Sequence, residues 1–371
     1  MNWIELNGRR SDEMTGLLIQ SLPPIMKPLI RTEIEEIDGR DGDLVTKLGY
    51  SAYDREMLIG LHGKYDIDEI IEYFDSEGIV VFSNEPEKYY KYQIINQIDF
   101  ERLARFRQAT VTFHCQPFKF SSVDNKIKYD NNFITWETGT YSESGIEVTM
   151  NQNMIRLIAE TSSSPVEFTI PVKCHCPDGL YSSSHDKYKV MAYSIGADAS
   201  NVSIRVCRYA PSNPSTLGHS LMALTTNGVS SQSQTMTETT DYDLLYFYIA
   251  PNTDIDITIY LRVINTNYKT QEFLNKGNTM AKPVFRIFGR GTVSLKHNDK
   301  TISIANLYVN QAIVLDTVEL NAYVGAVGNI TLKNRNITGD LKNLWFQKGE
   351  NTLTLSGDII SIEAEEYSRW I

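Results

Sequence analysis

Residues 254–263 read Asp-Ile-Asp-Ile-Thr-Ile-Tyr-Leu-Arg-Val, with an apolar side chain at every second position. This alternation is typical of a strand with one buried face, because successive side chains of a strand point to opposite faces. The pattern recurs at Val202, Ile204 and Val206, and again at Leu353 and Leu355. Turn dipeptides separate such stretches, among them Asn7-Gly8, Asp38-Gly39, Asn227-Gly228 and Ser356-Gly357. Many short strands joined by turns predict β-sandwiches or barrels, so we expect a mainly β fold.

Two helices are predicted, and both lie in the first third of the chain. Apolar residues follow helical spacing at Ile67, Ile70, Ile71 and Phe74. Asp66 is placed to cap the start of this helix, and Gly78 is placed to close its end. A second helix is expected over residues 99–107, with Phe100, Leu103 and Phe106 on one side.

Length and composition limit the class of protein. A chain of 371 residues favours two or three domains, at roughly 150 residues each. The net charge of −11 argues against nucleic-acid-specific binding, which needs clustered Lys and Arg. The longest apolar run, residues 244–250, is far shorter than the ~18 residues of a membrane-spanning helix. The first residues lack the pattern of a signal peptide, so we expect synthesis in a cytoplasm and no membrane span.

Charge and polar composition divide the chain into three parts. The net charge is −6 over residues 1–128, −7 over 129–274 and +2 over 275–371. Ser and Thr make up 24 of the 80 residues from 161 to 240, as in turns and solvent-facing strand positions. We therefore predict domains at residues 1–125, 126–272 and 273–371.

Motifs for catalysis or metal binding are absent from the sequence. No G-x-S-x-G or H-E-x-x-H pattern occurs, and Gly39-Arg40-Asp41-Gly42 has the composition of a turn. Cys174 and Cys176 flank His175, but zinc needs about four ligands and no second cluster follows. Asp254 and Asp256 suggest calcium, although the period of two favours a solvated strand face. We expect no catalytic residue, no metal and no cofactor.

Both ends of the chain resemble one family. Matching stretches occur in order at residues 3–8, 22–25, 37–42, 82–90 and 111–120, and then at 277–278, 282–291, 315–316, 339–341, 349–353 and 369–370. They resemble the N- and C-terminal domains of the distal tail proteins of long-tailed, siphophage-type bacteriophages. The resemblance implies a β-barrel-like or sandwich N-terminal domain with one or two helices, and a galectin-like C-terminal β-sandwich. It also implies a homohexameric ring at the virion tail tip, which joins the tail tube protein to a tail-associated or fibre protein.

The middle third departs from compact members of that family. Its strand pattern resembles a carbohydrate-binding jelly roll, as in enlarged distal tail proteins. Aromatic rings stack on the CH faces of sugars, and planar polar groups bind sugar hydroxyls. Trp136, Tyr181 and Tyr209 follow strand-like or turn-rich stretches and are our candidates for contact with a host cell-wall saccharide. The alternative is a tail-tip glycan hydrolase, or an accessory glycan-binding module of one.

Overall fold

The structure, a computed structural model, describes residues 1–39, 41–123, 126–143, 145–152, 154–174, 187–207, 222–235, 242–266, 270–326 and 328–371. Strands dominate these residues, which confirms the mainly β fold. Four one-turn 3-10 helices accompany them, at Ser11–Glu13, Ala199–Asn201, Asn334–Asn336 and Leu341–Leu344. Neither α-helix of this part of the chain has the length and apolar character that crossing a bilayer requires.

The N-terminal unit is one twisted sheet with both α-helices. Its elements in chain order are β1 (Ile4–Leu6), β2 (Arg9–Arg10), β3 (Leu17–Ser21), β4 (Ile30–Glu36), β5 (Asp43–Tyr50), β6 (Tyr53–Leu61), α1 (Ile67–Phe74), β7 (Glu77–Phe82), β8 (Lys88–Ile94), α2 (Phe100–Phe106) and β9 (Gln108–Ser121). The sheet order is β2-β1-β7-β8-β9-β6-β3, with antiparallel neighbours. Strands β4 and β5 stand outside it and pair with each other as a two-stranded hairpin.

Helix α1 confirms the predicted start but not the predicted end. The Asp66 side chain accepts hydrogen bonds from the backbone N–H groups of Asp68 and Glu69. Gly78 does not close the helix, because it lies in β7. Its φ is +136°, and an added Cβ would lie 2.2 Å from Oδ1 of Asn7. The glycine is needed there so that the Asn7 side chain can bond across to the strand.

Helix α2 is also confirmed, with one difference in its apolar side. Asp99 caps the start by accepting from the N–H of Arg102, and Leu103 is fully buried. Phe106 is 66% exposed, so it does not pack into the core as its spacing predicts. Arg107 takes a left-handed conformation directly after the helix and turns the chain into β9, which places Phe106 at the helix end.

The middle unit is a β-sandwich. Its strands are β11 (Ile134–Thr135), β12 (Gly139–Glu143), β13 (Ile146–Asn151), β14 (Met154–Ala159), β15 (Val166–Cys174), β16 (Lys187–Ile195), β17 (Val202–Cys207), β18 (Met222–Ala223), β19 (Gly228–Thr235), β20 (Tyr242–Ile249) and β21 (Ile255–Asn265). One sheet has the order β12-β13-β14-β21-β16-β19, and the other has β11-β15-β20-β17-β18. The alternating apolar side chains of both sheets, including Ile204 and Ile257, meet in one buried core.

The C-terminal unit is built on a large antiparallel sheet. Its strands are β10 (Lys126–Asp130), β22 (Thr270–Asn275), β23 (Val284–His297), β24 (Lys300–Leu307), β25 (Ile313–Asp316), β26 (Asn321–Ala326), β27 (Asn329–Leu332), β28 (Ile337–Thr338), β29 (Gly349–Glu365) and β30 (Arg369–Trp370), of which β30 joins the N-terminal sheet. The main strand order of this sheet is β10-β29-β23-β25-β26-β27. Its core includes Phe273, Phe285 and Phe346.

Sheet membership differs from the predicted borders at the start of the middle segment. Strand β10 lies inside the predicted middle domain, yet it pairs with β29 of the C-terminal sheet. Lys126 and Lys128 of β10 face the acidic end of β29, where Glu363 and Glu365 lie. The middle sandwich therefore comprises residues 131–265, which we call the insert.

Candidate functional site

Trp136 lies between the first two strands of the insert, where the chain passes from one sheet to the other. Its indole is half-buried and packs against the sandwich core. The indole Nε1 donates a hydrogen bond to the carbonyl oxygen of Asn151, at 2.6 Å. This bond and the packing fix the plane of the ring, so the ring presents a rigid apolar face.

A cleft of about 250 Å³ opens beside the Trp136 ring. Its lining comes from β11 and the loop after it, from β12 and from β15: Thr135, Trp136, Glu137, Tyr141, Pro171, Val172 and Lys173. A second cleft of about 300 Å³ continues on the other side of Tyr141, between β12, β13 and β15. Since Tyr141 lines both, we treat the two as one groove and call it the edge cleft.

The edge cleft runs where the borders of the two sheets of the insert face each other. Strand β12 ends one sheet, while β11 and β15 lie at the border of the other. Phe168 lines the second half, and its ring stacks on the buried Phe247 at 4.8 Å between centroids and 5° between planes. This stacked pair gives the groove a firm apolar floor.

The side chains around the cleft combine ring faces with polar groups. Trp136 and Tyr141 supply two half-buried aromatic rings, while Glu137 and Lys173 are exposed at the first opening. Ring faces with hydrogen-bonding groups at the rim match the two kinds of surface on a sugar ring. The volume of the first half, about 250 Å³, lies just below the roughly 300–1,000 Å³ typical of small-molecule pockets.

Of the three residues predicted from sequence, Trp136 lines this cleft. Tyr181 and Tyr209 lie outside the described residues. Sequence reasoning did not nominate Tyr141 and Phe168, although both line the cleft. Tyr141 lies five residues after Trp136, in strand β12, and this proximity of two large rings is the available signal. Phe168 carries none, because Tyr141, the other ring of its half of the cleft, lies 27 residues earlier in the chain.

The remaining polar candidates have local partners. Asp256 pairs with Arg156 through two hydrogen bonds of 3.1 and 3.2 Å, which lower the pKa of this carboxyl. Asp254 accepts from the backbone N–H of Thr161 at 2.8 Å. Cys174 is buried, whereas His175 and Cys176 lie outside the described residues. No cluster of three His, Cys, Asp or Glu side chains fit for a metal occurs among the residues that the structure describes.

The hairpin of β4 and β5 forms a second notable surface. Its apolar side chains face solvent: Ile34 is 60% exposed, Val45 58% and Leu48 56%. Ile34 and Val45 are direct cross-strand partners, so they form one apolar face. Monomeric proteins rarely leave such a paired face uncovered, and an unpaired strand edge invites another chain.

The base of this hairpin is held by a buried arginine. Arg55 of β6 is fully buried, and its Nη2 donates to the Pro24 carbonyl oxygen at 3.0 Å. Its guanidinium lies over the rings of Phe82 and Tyr90, at 4.7 and 4.3 Å from their centroids. The segment that leads into the hairpin is thus anchored on the core of the N-terminal unit.

Comparisons with known proteins give matches among solved structures. No protein-family profile matches the chain, and neither does any curated protein. The chain is similar to the Dit protein of phage SPP1, described as a paradigm of the hub adsorption apparatus in phages that infect Gram-positive bacteria. The identity is 9%, the alignment covers 100% of both chains, and the TM-score is 0.44.

Two structures of the phage P2 baseplate in its activated conformation are also similar. The one with Ca is 8% identical, covers 96% of this chain and 98% of the other, and has a TM-score of 0.35. The one with Sr is 9% identical, covers 99% and 98%, and also has a TM-score of 0.35. All three descriptions name a phage hub or baseplate.

Proposed function

We propose that this chain is a structural hub protein of a phage tail tip. Six copies would form a ring that joins the tail tube protein to a tail-associated or fibre protein. The insert would bind host cell-wall saccharide through the edge cleft. The observation that carries the proposal is the division of the chain: two terminal units hold each other, and a self-contained sandwich lies between them.

The terminal units interlock at the end of the chain. Strand β30 leaves the C-terminal unit and pairs with β9, with Arg369 opposite Phe120. The buried guanidinium of Arg369 lies 3.9 Å from the centroid of the Phe118 ring. Lys91 of β8 forms a 2.6 Å ion pair with Glu366. These contacts join the two terminal units, which supports a ring subunit that contains both of them.

The exposed apolar face of the β4–β5 hairpin supports the proposed assembly of a ring. A closed ring is built from head-to-tail contacts, in which one surface of each copy meets a different surface of the next. The exposed Ile34–Val45 face projects from the N-terminal unit and is available for such a contact. The six-fold number comes from the family resemblance.

The two ends of the insert lie side by side, as expected for a domain that is inserted into another fold. Asn132 forms an antiparallel bridge with Ile264, and the N–H of Phe133 donates to the Val263 carbonyl oxygen at 2.9 Å. The core of the insert is formed by residues from Phe133 to Val263. A unit that leaves and returns at one point can be added to a ring subunit without disturbing the ring.

Deletion of the insert tests the two parts of the proposal. Residues 133–263 are replaced by a short Gly-Ser linker between Asn132 and Ile264. The shortened protein is expected to keep the ring and to lose binding to host cell walls. Full cell-wall binding by this protein would refute the role of the insert. An assay for reducing ends released from purified cell wall by the full chain distinguishes the hub from the alternative, a glycan hydrolase.

A further inference from the structure

We infer a second ligand site, for an uncharged saccharide, in a cavity between the insert and the C-terminal sheet. The inference extends the proposed saccharide role of the insert to another place in the molecule. The cavity measures about 440 Å³. It is lined by Lys128, Asp130, Asn132, Tyr260, Arg262, Phe288, Asn310, Ile360, Ser361 and Glu363. We call it the junction cavity.

The walls of the junction cavity are fixed to each other. An apolar cluster of Met191, Ile264, Val309 and Ile360 joins the insert to the C-terminal unit. Lys189 of β16 forms a 2.5 Å ion pair with Asp358 of β29. The buried Asn131 bonds to both units through its side-chain amide. A cavity between surfaces held in this way is preformed, so a ligand does not have to order it on binding.

The cavity contains planar hydrogen-bonding groups beside an aromatic ring. Arg262 is 9% exposed, and its Nη1 donates to the Leu261 carbonyl oxygen at 2.7 Å. Burial lowers the pKa of its guanidinium, and the charge of Asp130 opposes that shift. The half-buried ring of Tyr260 lies two residues earlier on the same strand face. A ring face next to a guanidinium and amides is suited to the CH face and the hydroxyls of a sugar.

The positive and negative side chains of the cavity are equal in number, and this balance favours an uncharged saccharide over an anionic one. Lys128 and Arg262 are opposed by Asp130 and Glu363. The Lys128 Nζ lies 3.1 Å from an Asp130 oxygen and 3.9 Å from a Glu363 oxygen. A phosphate or carboxylate would meet two fixed carboxylates beside the two cations, and like charges in a partly buried site repel strongly. A neutral polyhydroxylated ligand avoids this repulsion and can accept from the cations and donate to the acids.

The test uses the full chain on an array of neutral and anionic oligosaccharides, with Tyr260→Ala and Asn310→Ala as variants. Trp136→Ala reports on the edge cleft, and Trp345→Ala, at a half-buried Trp that lines neither site, is the matched aromatic control. We expect Tyr260→Ala to weaken binding of at least one neutral oligosaccharide about tenfold or more, and Asn310→Ala to weaken the same one. Trp345→Ala should leave that binding unchanged. Asn310 is exposed, so its replacement by Ala should change the binding of the oligosaccharide without lowering the stability of the fold.

Two results would overturn the inference. One is unchanged binding of every neutral oligosaccharide by both junction variants. The other is a loss confined to anionic saccharides. If Trp136→Ala alone abolishes binding, the junction site fails while the proposed role of the insert stands. If Tyr260→Ala and Asn310→Ala weaken a neutral oligosaccharide that Trp136→Ala still binds, the junction site is supported as a site separate from the edge cleft, which is tested by the retention of Trp136→Ala on cell walls.

Discussion

The Nδ2 atom of Asn131 lies 2.9 Å from the carbonyl oxygen of Ile359, a residue 228 positions further along the chain. The same atom lies 3.0 Å from the carbonyl oxygen of Asn265, whose own N–H donates back to Oδ1 of Asn131. One buried side chain thus ties the entry of the insert, its exit and strand β29 together. The insert is fixed at its base, although its core is separate from that of the C-terminal unit.

Asn131→Ala is expected to loosen this attachment. The substitution leaves two buried carbonyl groups and one buried N–H without their partner, and each such loss costs about 1–3 kcal/mol. We predict a decrease in the free energy of unfolding of at least about 1 kcal/mol in urea denaturation, and faster proteolytic release of the insert. Asn329→Ala, at an exposed position of β27, is the control. Equal stability of the two variants would contradict the role of Asn131.

Trp136→Ala is expected to weaken saccharide binding by the edge cleft. Removal of an aromatic ring at the centre of a contact costs a factor of about ten or more in affinity. Trp345→Ala is a matched control, because Trp345 is also half-buried and its Nε1 also donates to a carbonyl oxygen, that of Thr317. The measurement is the fraction of each variant that purified cell walls retain. Equal retention by both variants would argue against the edge cleft as the binding site.

Val45→Glu is expected to break the ring without unfolding the subunit. The side chain is 58% exposed in the isolated chain, so the substitution should change the free energy of unfolding by only about 0.5 kcal/mol. In a ring contact, the same carboxylate would lose its hydration and the assembly would dissociate at micromolar concentration. Leu332→Glu, at a residue 60% exposed in the C-terminal unit, should leave the assembly intact. The assembly state of both variants is measured by sedimentation. Intact assemblies from Val45→Glu would exclude the hairpin as a ring contact.

The acid stability of the N-terminal unit is expected to depend on Glu85. Burial acts to raise the pKa of this carboxyl, but hydrogen bonds from Lys119, at 2.8 Å, and from Tyr90 outweigh it and leave the pKa below 4.5. Because the unfolded state then binds the proton more readily, Glu85 stabilises the fold above about pH 4.5 and this contribution disappears as the pH falls through the lower, folded pKa.

The free energy of unfolding of Glu85→Gln should therefore depend less on pH in the acid range than that of the wild type. At pH 7 the variant should be less stable by about 3 kcal/mol, because Lys119 is left buried without its carboxylate. The difference between variant and wild type should shrink in unfolding measurements as the pH falls below about 4.5 and through the lower pKa of the folded state. Glu87→Gln, at an exposed position, is the control. A difference that stays constant with pH would show that the ionised form of Glu85 does not stabilise the fold.

Local patterns predicted individual strands and helices, because the interactions that decide them are near in sequence. Asp66 and Ile70 lie within one turn of each other, and the start of α1 follows from them. Gly78 was misassigned since the side chain it accommodates belongs to Asn7, 71 residues earlier in the chain. Strand β10 alternates like any edge strand, and nothing local indicates that it pairs with β29.

The candidate site could be predicted only in part for the same reason. Trp136 stood out as a large ring after a strand-like stretch, and Tyr141 lies close to it in sequence. Lys173 and Phe168 reach the edge cleft only because β15 faces β12 across the sandwich. The junction cavity needs both Arg262 and Glu363, which lie on different sheets and carry no shared motif.

The most direct test of the central claim is the mass and shape of the purified full chain in solution, by native mass spectrometry with electron microscopy of the same sample. The proposal predicts a species of six times the 42.2 kDa chain mass, seen as a ring with a central channel and six outer lobes. A stable 42.2 kDa monomer at micromolar concentration, with no rings in the images, would contradict it.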